Sequence, residues 1–351
     1  MAKRSNKKMG SGAKLGLAFL AFSILLGGVF SFNYLWKYLG GNVSDKQEYL
    51  YISTGADFEK VMQNIRENGI VNDTATFRWA AEKMDYIHRV KPGRYRLNEG
   101  MSNRRLINML KSGNQEPVQL YFQNIRLKEN FAGMLGHKLE ADSLSIIHLL
   151  DSADFAKAYG FNTDNIYTVF IPNSYEVYWN TTASDFFRKM FAEYQKFWNK
   201  ERQAKANKLG LNPIQVSILA SIVDGEALVD REMPIIAGLY LNRLKKGMKL
   251  ESDPTVIFAN RDFTIRRVLN KHLAKESPYN TYRNVGLPPG PINMPSIAAI
   301  DAVLNPQKHN YIYMCAKEDF SGTHNFAVVL AEHQANARKF QQALNERNIK
   351  K

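Results

Sequence analysis

The 351-residue chain has one cysteine, Cys315, which excludes an intramolecular disulfide and a structural zinc site built on several thiolates. It has no Walker phosphate loop, because Gly10-Ser-Gly12 lies in a basic tail rather than between a strand and a helix. A His-Glu-x-x-His pair and a Gly-x-Ser-x-Gly elbow are both missing. The seven histidines, at 88, 137, 148, 272, 309, 324 and 333, have no ligand spacing, so no metal and no cofactor is expected. Acidic residues are absent from the start of the chain, where the first carboxylate is Asp45.

What the chain does have is positive charge: 47 Lys and Arg against 33 Asp and Glu, a net +14. With 45% hydrophobic and 23% charged residues the bulk reads as globular protein. Lys3, Arg4, Lys7, Lys8 and Lys14 form a basic tail (1–14), and the uncharged run Leu15–Trp36 follows directly. As a helix that run reaches about 33 Å, the thickness of a bilayer core. Tyr34 and Trp36 suit an interfacial belt, and the tail predicts a cytoplasmic amino terminus with the rest outside. A cleaved signal peptide is the rival, but the run is long for one and no small-x-small site closes it. With the globular part outside the cytoplasm, nucleic acid is not an expected partner, and a lone Cys315 is expected to be buried core filler.

Residues 37–48 read as a linker, 49–116 as a small α/β subdomain and 117–351 as a mixed α+β domain, giving an α+β class overall. In the subdomain, strands are expected at 49–52 and 95–97, with helices after Gly55, around 76–84 and after Ser102. Beyond it, a strand is expected at 118–122 and helices near 130–139, 143–150, 184–209 and 213–228. Further helices are expected at 234–246, 296–304 and 329–347, and a strand at 311–316.

The stretch Ile218-Leu-Ala-Ser-Ile-Val-Asp-Gly-Glu-Ala227 carries two carboxylates near the end of an apolar helix. Asp224 and Glu226 point about 200° apart, so they are not expected to work as an adjacent pair. Ile222 and Val223 precede Glu226 by four and three residues and give it apolar surroundings, which favour a neutral carboxyl able to act as a general acid. A solvated glutamate on a helix end loosened by Gly225 is the bland alternative. Downstream, Glu251-Ser-Asp-Pro-Thr-Val256, Tyr279-Asn-Thr-Tyr282 and Gly286-Leu-Pro-Pro-Gly290 read as rigid loops displaying Asn, Thr, Tyr and Asp. Such loops suit a carbohydrate cleft.

Thr54–Ile70, Lys91-Pro-Gly-Arg-Tyr-Arg-Leu97 and Gly100-Met-Ser102 resemble the LysM-like subdomain of the bacterial MltG (YceG-like) murein transglycosylases. The blocks Ala220–Val223, Asn242–Leu244, Asp253–Val256, Tyr279–Tyr282, Gly286–Gly290 and Gly322–His324 follow in that family's order. The resemblance implies a lytic transglycosylase that cuts between N-acetylmuramic acid and N-acetylglucosamine, with Glu226 as catalytic residue. Asp253, Thr255, Asn280 and Tyr282 are expected substrate contacts. It also implies peptidoglycan strands as substrate, the membrane as anchor, and glycan polymerases and division proteins as neighbours. The chain departs from the pattern at Asp224, in Phe170-Ile-Pro-Asn-Ser-Tyr175 and at Asn325. A hydrolytic muramidase using Asp224, Asp230 or Asp253 as second carboxylate, and an inactive wall-binding or division scaffold, are the alternatives.

Overall fold

The computed structural model describes residues 10–347, so Lys3, Arg4, Lys7 and Lys8 of the expected basic tail lie outside the described residues. These residues form an α+β protein of many helices and three two-stranded sheets, divided into two compact units. The first comprises the described residues up to Val118 together with Tyr178–Asn180.

The first unit contains α1 (Ser11–Leu39), β1 (Tyr49–Ile52), α2 (Phe58–Glu67), α3 (Thr74–Lys83), β2 (Gly93–Arg96) and α4 (Asn103–Ser112). Within α1, Lys14–Leu39 is long and apolar enough to cross a membrane. The helix runs through Lys37–Leu39, past the expected end at Trp36. Its last turns are held by the subdomain: Trp79 of α3 packs edge-on against Tyr34 and Tyr38 at 5.0 and 4.9 Å, and Asn103 Nδ2 donates to the Lys37 carbonyl at 2.9 Å.

Residues 37–48, expected as a linker, are woven into this unit. Asn42, Val43 and Ser44 are buried, and the amides of Asn42 and Val43 both donate to the Met101 carbonyl. The Asn42 side chain donates to Asp73 O and Asn103 Oδ1 and accepts from the Asp73 amide, each at 2.8 Å. A buried amide with every group satisfied specifies one arrangement, which polar composition alone does not reveal. Antiparallel β1 and β2 turn Leu50, Ile52 and Tyr95 onto the apolar stripes of α2 (Phe58, Val61, Met62, Ile65) and α4 (Leu106, Ile107, Leu110).

The second unit, from Gln119 on, continues through the rest of β3 (Val118–Phe122), α5 (Lys128–Gly136), α6 (Ser143–Asp151), α7 (Ala153–Ala158), β4 (Asn173–Val177), α8 (Ala183–Phe197) and α9 (Lys200–Lys208). Then come α10 (Pro213–Glu226), α11 (Met233–Lys245), α12 (Asp253–Asn260), α13 (Asn270–Leu273), α14 (Ile297–Leu304), β5 (Tyr313–Ala316), β6 (His324–Ala327) and α15 (Leu330–Glu346). The single helix expected over 184–209 is two. Asn199 accepts the Arg202 amide at 3.0 Å and starts α9 anew, while Trp198 turns inward between them. The Asp253–Val256 block, expected as a loop, opens α12 with proline in its first turn.

At the centre lies α10. Asn212 and Gln215 close a capping box at its start, Pro213 occupies the first turn, and every residue from Val216 to Val223 is buried. A helix apolar on all sides must be surrounded, and α10 packs against α11, α12 and α14. Antiparallel β5 and β6 make a hairpin, covered by α15, that pairs Cys315 with Asn325 and Ala316 with His324. Cys315 is not core filler as expected: it is half-buried and lines a cleft that the hairpin and α15 both border.

Candidate active site

Glu226 is the last residue of α10 and lines a cleft of 580 Å³ bounded also by Tyr240 of α11, Asp253 at the start of α12, Tyr282, and the hairpin with His324. Its Oε1 accepts two hydroxyl donors, Tyr240 at 2.9 Å and Ser252 at 2.5 Å. Both donors end on one oxygen, and among the described residues no donor reaches Oε2. The proton of the neutral acid therefore belongs on Oε2.

Burial raises the Glu226 pKa above the ordinary carboxylate value, and nearby Asp253 pushes the same way; the Ser252 and Tyr240 hydrogen bonds and His324 pull it back in part. Its position at the negative end of the α10 dipole also disfavours ionisation. Burial likewise lifts the Tyr240 phenol well above its usual range, so Tyr240 stays a neutral donor. Ser252 occupies the N-cap of α12 but makes no cap bond with its side chain; the hydroxyl goes to Glu226 instead.

The other sequence-predicted residues separate into two groups. Asp253 and Tyr282 both line the cleft, and the Tyr282 hydroxyl donates to Asp253 Oδ1 at 2.7 Å. Thr255 and Asn280 are fully buried. Thr255 Oγ1 bonds Ser252 O at 2.6 Å and Thr281 Oγ1 at 2.8 Å. Asn280 Nδ2 donates to the carbonyls of Leu273 and Lys275, and its Oδ1 accepts the Tyr282 amide at 3.0 Å. These two side chains therefore brace Ser252 and Tyr282 from behind and present no face to the cleft. Asp224 points elsewhere, as its angular separation from Glu226 requires, and accepts from Ser296 Oγ at 2.6 Å.

Three residues that shape the candidate site escaped sequence reasoning. Tyr240 reads as one more apolar position of α11, and Ser252 as a turn residue, although Ser-Asp-Pro-Thr is a helix-start signal. The third is Glu232, 6% exposed, whose carboxylate takes the His324 amide and Nδ1, each at 2.9 Å. Holding Nδ1 this way orients the ring and leaves Nε2 without a protein partner among the described residues. Arg243 donates to Lys249 O, Ile312 O and Glu251, tying the cleft wall to the hairpin. Among the described residues no three His, Cys, Asp or Glu side chains converge as metal ligands.

The model of the YceG-like family matches residues 50–339. An endolytic murein transglycosylase of Bacillus subtilis is 27% identical over 320 residues, covering 84% of this chain and 85% of the relative. One of Streptococcus pneumoniae is 24% identical over 340 residues, covering 86% of this chain but only 60% of the longer relative. A crystal structure of a YceG-like protein from Listeria monocytogenes superposes with a TM-score of 0.55 at 24% identity, over 83% of this chain and 99% of that one.

Proposed function

Because the chain belongs to the YceG-like family, we propose that it is a peptidoglycan lytic transglycosylase, cleaving between N-acetylmuramic acid and N-acetylglucosamine within glycan strands to leave 1,6-anhydromuramoyl ends. One arrangement carries this reading: a single carboxyl, Glu226, raised in pKa by burial and clamped through Oε1 by two hydroxyls in an open cleft. Glu226 protonates the glycosidic oxygen from Oε2 as the bond breaks. The resulting carboxylate then takes the proton of the muramoyl C6 hydroxyl, whose oxygen closes onto C1. A hydrolase of the usual kind needs a second carboxylate to serve as nucleophile or to activate water. Here the nucleophile is already tethered to the sugar, and effective concentration replaces a positioned water.

Within this proposal α1 is the anchor, the amino terminus lies in the cytoplasm, and the second unit works on the outer side against nascent strands, near the glycan polymerases and division proteins. Digestion of purified glycan strands followed by mass spectrometry decides the chemistry. Anhydro ends, lighter by one water than reducing ends, are expected. Reducing ends instead would make the enzyme a muramidase with Asp253 as the second carboxylate in the cleft, and binding without any released fragment would make it a scaffold.

The hydroxyl clamp gives a directional pH effect. Ser252 stabilises the charged form of Glu226, so Ser252→Ala raises the carboxyl pKa further. The alkaline limb of kcat/KM against pH is expected to move to higher pH, with the plateau lowered by about tenfold as the carboxyl loses one of its two constraints. An unmoved limb would mean that another group sets it.

A further inference from the structure

A second cavity of the same unit, 370 Å³ in volume, is walled by residues 126–129, the end of α12 and the Ser277–Tyr279 loop. It has an offshoot of 80 Å³, with Arg126 and Phe258 lining both. The offshoot reaches Gly225 and Pro254, each the immediate neighbour of a residue in the catalytic cleft, Glu226 and Asp253. The end of α10 and the start of α12 therefore form a wall with the cleft on one side and this cavity on the other.

Two of its polar groups lack a hydrogen-bond or ion-pair partner among the described residues. Asn293, 5% exposed, lines the offshoot; its Oδ1 is enclosed by the protein without a partner, which leaves Nδ2 as the amide atom able to meet a ligand. Arg126 lies over the Phe263 ring at 5.1 Å and has no ion-pair partner among the described residues. The remaining charged groups around the cavity are engaged within the protein: Arg261 with Glu129 at 2.6 Å, Lys128 with Asp151, and Asp164 with the Tyr279 hydroxyl at 3.3 Å. Phe258 and Tyr279, with ring centroids 4.8 Å apart, add an aromatic wall. A backbone bond from Met294 N to Ile125 O at 3.0 Å fixes the two unpartnered groups beside each other, and the Tyr167 hydroxyl donates to the same carbonyl.

We propose that this cavity binds the stem peptide carried by a muramoyl residue of the strand, with Arg126 receiving a peptide carboxylate, Asn293 Nδ2 donating to a peptide carbonyl, and the Phe258–Tyr279 wall covering an aliphatic side chain. A guanidinium, an amide donor and an aromatic wall together match an acidic peptide, and the volume exceeds what a lone phosphate would fill. The inference rests on the peptidoglycan reading above, because that substrate places a peptide next to every scissile muramoyl bond.

The test titrates the full-length protein in detergent micelles with acetyl-L-Ala-D-isoglutamyl-L-Lys-D-Ala. Binding is expected in the wild type and in Glu226→Gln, at least tenfold weaker in Arg126→Gln and Asn293→Ala, and lost when the carboxylates of the peptide are amidated. In parallel, the ratio of kcat/KM for peptide-bearing to peptide-stripped strands is expected to fall about tenfold in Arg126→Gln. No wild-type binding, or an unchanged ratio, overturns the site. If no strand is cleaved but Arg126-dependent peptide binding persists, the site stands and the transglycosylase reading falls.

Discussion

Replacing Glu226 by Gln is expected to lower kcat for strand cleavage by about two to four orders of magnitude, the usual contribution of a positioned general acid and base. The amide preserves shape and can still accept from Tyr240 and Ser252 through one oxygen, so the loss isolates the proton. Wild-type activity should fall as pH rises through the elevated pKa of Glu226, because only the protonated form can donate. The same group gives a stability signature of fixed sign. Its folded pKa lies above the reference value of 4.5, so the native state holds the proton more tightly than the unfolded chain does. The contribution of Glu226 to stability is then fully present below that reference value and is lost as pH rises through its folded pKa. Glu226→Gln, which cannot ionise, should be more stable than wild type at neutral pH, and the gap should shrink in acid. Full retention of activity by this variant would remove Glu226 from the chemistry. An equally stable variant at neutral pH would mean that the carboxyl carries no burial cost.

The largest expected effect on folding lies at Phe131 on α5. It is fully buried among Phe122, Tyr167, Phe170 and Phe186, with ring centroids at 4.9, 5.8, 4.6 and 6.2 Å. Phe131→Ala removes a ring touched on several sides, and the neighbours cannot collapse into the space without losing their own contacts. A destabilisation of about 3–5 kcal/mol is expected from denaturant unfolding followed by near-ultraviolet circular dichroism. A loss under about 1 kcal/mol would mean that the cluster repacks. Tyr167 links this cluster to the carbonyl of Ile125, so peptide binding should weaken in the variant before the catalytic plateau changes.

Helix types and most of their places were legible because they follow from local pattern. The uncharged run that becomes α1, the apolar α10 started by Asn212 and Pro213, and the stripe of α2 each depend on neighbours within a few residues. The errors fall where a local signal has two meanings. Asn199 could sit on the surface of a continuous helix or cap a new one, and burial of Trp198 decided for the cap. Gly40–Glu48 has linker composition, yet Asn42 is anchored by Asp73 and Asn103, 31 and 61 residues away. Polar residues in turn-rich blocks look equally available to a substrate, but Thr255 and Asn280 are taken up by backbone and hydroxyl partners that only the folded loop supplies.

The candidate site divides in the same way. Sequence alone determined that Glu226 stands at the end of an apolar helix and that Asp224 faces another direction, since both follow from the helical angle between residues two apart. Tertiary structure decided what meets that carboxyl: Tyr240 from 14 residues on, Ser252 from 26, and a histidine on the β5–β6 hairpin held by Glu232 from 92 residues away. Helical periodicity fixes the direction a side chain takes from its own helix, whereas its partners across the cleft are set by how whole elements pack against α10.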